Sequence, residues 1–157
     1  MAKVSMSQDL NVSADQVWQM VGKFNALPDW HPQVDKSELT EEGQTRKLSL
    51  AGGGTIIEKL EKLDDNSKTY TYSIVDSPLP VKNYTSTIKV TGSGDNATIE
   101  WLSEFDAVGM PENDAMKAIQ DVYQDGLNNL KRCSAADFRV PRPSRKNIRY
   151  RRKRLLG

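Results

Sequence analysis

After Pro32 apolar residues recur at every second position for about seventy residues, and one stretch with helical spacing then follows. That order constrains the chain more than any single motif does. The alternating part reads as a meander of about six strands. Within "TRKLSLAGGGTIIEKLEKLDDNSKTYTYSIVDS", Gly52–Gly54 and Asp64–Ser67 mark the turns between three of them. "SPLPVK" interrupts the pattern with two prolines, and "NYTSTIKV" and "ATIEWLSEF" form a further hairpin around "GSGDN". After Pro111 the stripe Ala115, Ile119, Val122, Tyr123, Gly126, Leu127 and Leu130 predicts one long helix. A sheet with one buried face needs a cover, and this helix is the only element large enough to supply it.

The first thirty residues are as readable. Val4 and Met6 alternate with Ser5 and Ser7, as in a half-buried strand. Ser13 and Gln16 then form a capping box, with Val12 and Val17 placed as a hydrophobic staple. Val17, Met20, Val21 and Phe24 continue at helical spacing, and Gly22 suits the helix end. A short second helix over 25–30 is closed by Pro32.

The bulk composition narrows the class. A chain of 157 residues is one domain of ordinary size. The single cysteine, Cys133, cannot form an internal disulfide, and no Cys/His cluster offers a structural zinc site. The N-terminus lacks an apolar secretory core and no apolar run reaches the roughly 18 residues of a membrane span, so the expected location is the cytoplasm. The net charge of +1 hides a division. Nine of the 22 basic residues fall in 139–157, which hold no acid, leaving thirteen against 21 acids and a net of −8 before them. The expected division is an acidic domain over 1–138 and a basic tail over 139–157.

Strand alternation places Arg46, Leu48 and Leu50 on one face with Ile56, Glu58 and Leu60. Tyr70, Tyr72 and Ile74 join them, followed by Tyr84, Ser86, Ile88 and Val90, then Ile99, Trp101, Ser103 and Phe105. This apolar face should meet the long helix, yet it carries an arginine, a glutamate and three tyrosines. Two readings stay open. The polar groups form a cavity with polar handles, or a Glu58–Arg46–Tyr72 network that fixes strand register. His31, the only histidine, is read either as a surface residue or as a functional one. The glycine triplet is a hairpin turn rather than a phosphate loop, and no Ser–His–Asp arrangement is legible.

The order of elements, with "VSADQVWQMVGKFNALPDWHPQV", "GGGTIIEKLEKLD", "YTYSIVDSPLPVKNY", "IEWLSEFDAVG" and "MKAIQDVYQDGLNNL", resembles the START-like, helix-grip superfamily (SRPBCC) over about residues 3–132. Within it the chain is similar to the polyketide cyclase/dehydrase branch. The resemblance implies an α+β helix-grip fold: a curved seven-stranded antiparallel sheet around a long C-terminal helix, with two short helices after the first strand. It also implies a deep cavity, with Trp30 and His31 at its mouth, Glu58, Tyr72, Tyr84 and Trp101 inside, and Tyr123 and Leu127 contributed by the helix. Family domains end near Arg132, short of the basic tail.

Two functions follow. One is binding of a small hydrophobic or aromatic molecule, lipid- or polyketide-like, with no cofactor, by a monomer or homodimer. The other is a polyketide cyclase or dehydratase. There His31 would be the base, Arg46, Tyr72 or Tyr84 would hold the enolate oxygen, and Glu58 would orient a donor or act as an acid. The tail is either an arm for nucleic acid or an anionic membrane, or a cloning or out-of-frame extension. With only Tyr150 as an aromatic it lacks a stacking pattern, which makes nucleic acid an unlikely partner.

Overall fold

The computed structural model describes residues 1–133 together with Phe138. β1 (Ala2–Leu10) leads into α1 (Ala14–Val21), a single 3₁₀ turn and α2 (Leu27–Trp30). The meander follows: β2 (Val34–Thr40), β3 (Thr45–Leu50), β4 (Thr55–Asp64), β5 (Thr69–Asp76), β6 (Val81–Ser93) and β7 (Asn96–Ala107). α3 (Glu112–Arg132) ends the described elements. The strands form one antiparallel seven-stranded sheet in the order β1-β7-β6-β5-β4-β3-β2, curved around α3 as the resemblance implies. No helix among the described residues is long and apolar enough to cross a membrane.

Local chemistry accounts for the element ends. Gln16 N–H donates to Ser13 Oγ at 3.2 Å, and Ser13 N–H donates to the Gln16 side chain at 3.3 Å. The capping box therefore satisfies two of the orphan donors at the start of α1. Gly22 ends that helix in ordinary right-handed geometry, so its backbone freedom is not the reason for a glycine. A Cβ there would lie 2.4 Å from the Trp18 ring, and space is the constraint. α3 carries Glu112 and Asp114 in its first turn and Lys131 and Arg132 in its last, matching the helix dipole at both ends.

The alternation is realised as expected. Arg46, Leu48, Ile56, Glu58, Tyr70, Tyr72, Tyr84, Ser86, Ile88, Ile99, Trp101, Ser103 and Phe105 are all buried on the inner face. Arg46 pairs directly with Glu58 across β3 and β4. Glu58 sits opposite Ile74, and Tyr72 is one step along, opposite Leu60. From α3, Ala115, Ile119, Tyr123, Gly126, Leu127 and Leu130 are buried against the sheet.

Phe138 is a feature the periodicity did not disclose. Its ring is 1 % exposed and belongs to the same core cluster as Leu10, Val12 and Leu130. The proposed boundary after residue 138 and the basic tail, 139–157, lie outside the described residues. A buried phenylalanine just past the helix end should hold the chain to the domain. Phe138→Ala should therefore cost roughly 3–5 kcal/mol in urea denaturation, and an unchanged midpoint would show that the ring is dispensable.

Candidate functional site

Between the sheet, α2 and α3 lies a partly open cavity of about 80 Å³. Leu27, Val34, Leu48, Leu50, Ile56, Leu79 and Val122 form its aliphatic wall, and Gln33 closes one side. His31, Tyr72, Trp101 and Tyr123 supply aromatic surface, and Glu58 supplies the one carboxylate. Five of the residues expected from the sequence thus meet around one space: His31, Glu58, Tyr72, Trp101 and Tyr123.

Four others do not line it. Arg46 lies behind Glu58, with its guanidinium 4.1 Å from the centre of the Phe24 ring. Tyr84 is screened by Tyr123, to whose hydroxyl its own is hydrogen-bonded. Trp30 packs its ring inward against Trp101, with centroids 5.3 Å apart. Leu127 is fully buried in the core, beyond the wedge where Gly126 meets Trp30, His31 and Trp101. These residues support the wall from behind.

The expected position of His31 also needs correction. It lines the cavity, but at 1 % exposure it is no open mouth residue. Its Nε2–H donates to the carbonyl of Val122 on α3 at 2.7 Å, and its Nδ1 accepts from Gln33 N–H at 3.2 Å. Both bonds together describe a neutral imidazole protonated on Nε2. A base needs a free lone pair, and the Nδ1 lone pair is already taken. His31 ties the loop before β2 to α3. Asn129 Nδ2–H adds a second tie at 2.8 Å to the Trp30 carbonyl, and the Gln33 amide donates to Asp125 across the same seam.

The electrostatic centre is the Arg46–Glu58 pair. Arg46 is fully buried and Glu58 is 5 % exposed. Arg46 Nε–H donates to Glu58 Oε1 at 2.8 Å, and Nη2 lies 2.7 Å from the same oxygen. Nη1 donates to the Phe24 carbonyl. Burial pushes the Glu58 carboxyl above the ordinary glutamate range, and the Arg46 charge pulls against it. A guanidinium in this interior needs a counter-charge, so the carboxylate is the working form at neutral pH.

A second network lies under the far wall. Trp101 Nε1–H is shared between Tyr72 Oη at 3.1 Å and Ser86 Oγ at 3.0 Å. Ser86 O–H donates to the Leu102 carbonyl at 3.1 Å, and its oxygen lies 3.0 Å from Tyr123 Oη. Trp101 and Tyr123 stack with centroids 4.1 Å apart. Burial pushes the Tyr123 hydroxyl up to about 12 and raises Tyr70, Tyr72 and Tyr84 as well.

Leu79 is one of four wall residues that the sequence did not single out, with Leu27, Gln33 and Val34. It sits in the two-proline break between β5 and β6, where no periodicity operates, and "SPLPVK" was legible only as an interruption. Leu48, Leu50 and Ile56 were on the inward sets, and Val122 was in the helical stripe, without any sign that they bounded a cavity.

Two measurements test this electrostatic description. Glu58→Gln keeps the shape and strands the guanidinium, so it should cost about 3–5 kcal/mol, while Arg46→Met/Glu58→Met should recover most of that loss. Equal stability of all three proteins would remove the pair from the account. The tyrosines set a pH limit. Unfolded tyrosine ionises near pH 10, and the buried phenols hold their protons to higher pH, so the folded state binds more protons in that range. Their contribution is complete below about pH 10 and is lost as pH rises through the folded values. Phenolate absorbance from Tyr70, Tyr72, Tyr84 and Tyr123 should appear only as tertiary circular dichroism disappears. Phenolate signals from these four in a native spectrum would contradict their burial.

Comparison with known proteins places this site in context. The chain matches the family described as "Polyketide cyclase / dehydrase and lipid transport" over residues 1–134. A solved structure of the protein XoxI from Bacillus cereus is 42% identical, with a TM-score of 0.81, over 83% of this chain and 94% of that one. An uncharacterised protein from Bacillus thuringiensis is 41% identical, also with a TM-score of 0.81, over 83% of this chain and 96% of that one. A START superfamily protein from Mycobacterium smegmatis shares the fold at 14% identity, with a TM-score of 0.69, over 82% of this chain and 94% of that one. No curated protein matches. With the helix-grip architecture and a profile match spanning almost all of the described residues, the chain belongs to the polyketide cyclase/dehydrase and lipid transport family.

Proposed function

We propose that this protein binds a small hydrophobic or aromatic molecule in the cavity between the sheet and α3. The observation that carries the reading is the wall itself: an aliphatic and aromatic lining interrupted by one charged carboxylate. The family description, which joins polyketide chemistry with lipid transport, supports the same class of ligand.

The size of the cavity limits the form the reading takes. A space of about 80 Å³ holds only a few non-hydrogen atoms. A lipid- or polyketide-sized ligand requires the wall to move. Leu50 precedes the loop 51–54 and Leu79 lies in the loop 77–80, and movement of these two loops would enlarge the space.

Carriage is favoured over catalysis by the state of His31. A cyclase using this residue as its base would first have to break its bond to Gln33 N–H. The protein works in this reading as a cytoplasmic monomer or homodimer that needs no cofactor and contacts no nucleic acid. The basic tail, whether an accessory arm or a non-native extension, takes no part in this activity.

Native mass spectrometry of the purified protein tests the reading. A co-purifying small apolar molecule, released on unfolding, is the expected result. His31→Gln should retain that molecule, because glutamine can replace one of the two bonds. Turnover of an aromatic polyketide-like ketone by the wild type, abolished in His31→Gln, would instead establish the enzyme.

A further inference from the structure

The Arg46–Glu58 pair is one-sided. Both guanidinium contacts converge on Glu58 Oε1. No donor among the described residues hydrogen-bonds Oε2. Glu58 lines the cavity and Arg46 does not, so the oxygen turned away from the guanidinium is the one on the cavity side. An ionised carboxylate only accepts hydrogen bonds, so an oxygen open to the cavity takes its donor from water or from a ligand.

The other buried polar side chains of the wall are already committed, and Gln33 is exposed with its amide nitrogen turned to Asp125. Tyr72 Oη accepts the Trp101 indole N–H. The Tyr123 hydroxyl is engaged by Tyr84 and Ser86. Both His31 nitrogens are bonded to backbone groups. Oε2 is therefore the buried side-chain oxygen of the wall with acceptor capacity to spare, and it shares the cavity with the rings of Tyr72, Trp101 and Tyr123.

We infer that Glu58 Oε2 anchors the ligand and that the site selects aromatic molecules bearing a hydrogen-bond donor, a phenolic hydroxyl above all. This assignment rests on the ligand-binding reading above. The ring packs against the aromatic wall, and the hydroxyl donates to Oε2 in place of water. Arg46 fixes the carboxylate rotamer and keeps it ionised, and makes no contact with the ligand itself. A methyl group or an ether in the hydroxyl position leaves Oε2 unsatisfied, and the affinity falls accordingly.

Phenol, anisole and toluene are the probes, since they fit with the least rearrangement and differ only at the anchoring position. Affinities are read from chemical-shift titrations that follow the Trp101 indole N–H. In the wild type, phenol should bind at least about tenfold more tightly than anisole, the gain expected of a hydrogen bond to a charged acceptor. In Arg46→Met/Glu58→Met the phenol-to-toluene affinity ratio should drop by a similar factor, while toluene still binds. Equal wild-type affinities for phenol and anisole would overturn the anchor, as would a ratio unchanged in the double variant, and both would leave apolar ligand binding standing. If none of the three shifts the Trp101 signal, the anchor falls, and the ligand-binding reading falls with it when native mass spectrometry also finds no bound molecule. The wild-type comparison needs no variant, so it decides the matter even if the double variant does not fold.

Discussion

The absence of one methyl group on α3 decides how deeply the helix sits in the sheet. A Cβ on Gly126 would lie 2.8 Å from the His31 ring and 3.1 Å from the rings of both Trp30 and Trp101. All three rings are buried, and His31 is held by two hydrogen bonds, so none is free to yield. A glycine in the middle of a 21-residue helix weakens it by about 1 kcal/mol relative to alanine. The close approach offsets that cost. It lets the His31 imidazole reach the Val122 carbonyl and lets Tyr123, three residues before Gly126, stack on Trp101. The helix, the loop before β2 and the last strand are thereby drawn together, and the space left among them is the small cavity.

That packing explains why the inner face tolerates charge. A purely aliphatic face would close without polar groups and would be no less stable. Here Arg46 and Glu58 are direct cross-strand partners, and Phe24 and Tyr72 flank the guanidinium with ring faces. The pair therefore specifies the β3–β4 register. One of its carboxylate oxygens is spent on this structural role and the other is left to the cavity. The two readings of the cluster that the sequence kept apart, a structural network and a binding handle, describe the two sides of one carboxylate.

Much of this was legible in advance because it is periodic or local. Alternation put Arg46 and Glu58 on one face before any coordinates, and the Ser13–Gln16 spacing named the start of α1. The resemblance supplied the seven-stranded count. What remained hidden depends on contacts between distant segments. Gly126 read as one more member of the helical stripe, since nothing nearby in sequence announces His31 and Trp30 as its neighbours. The depth of His31 depends on Val122, 91 residues away. Leu79 and Phe138 lie in stretches with no repeat to follow. The volume of the cavity depends on side-chain packing, which strand alternation does not report. For that reason the deep chamber implied by the resemblance and the observed 80 Å³ differ.

The close approach of α3 can be measured directly through the urea-denaturation stability of Gly126→Ala. In an unconstrained helix this change gains about 1 kcal/mol from propensity alone. If the rings of Trp30, His31 and Trp101 fix the helix where they meet Gly126, the variant must instead be destabilised, by roughly 1–3 kcal/mol, as expected of an overpacked core. A Gly126→Ala protein as stable as the wild type, or more stable, would contradict the account at its foundation.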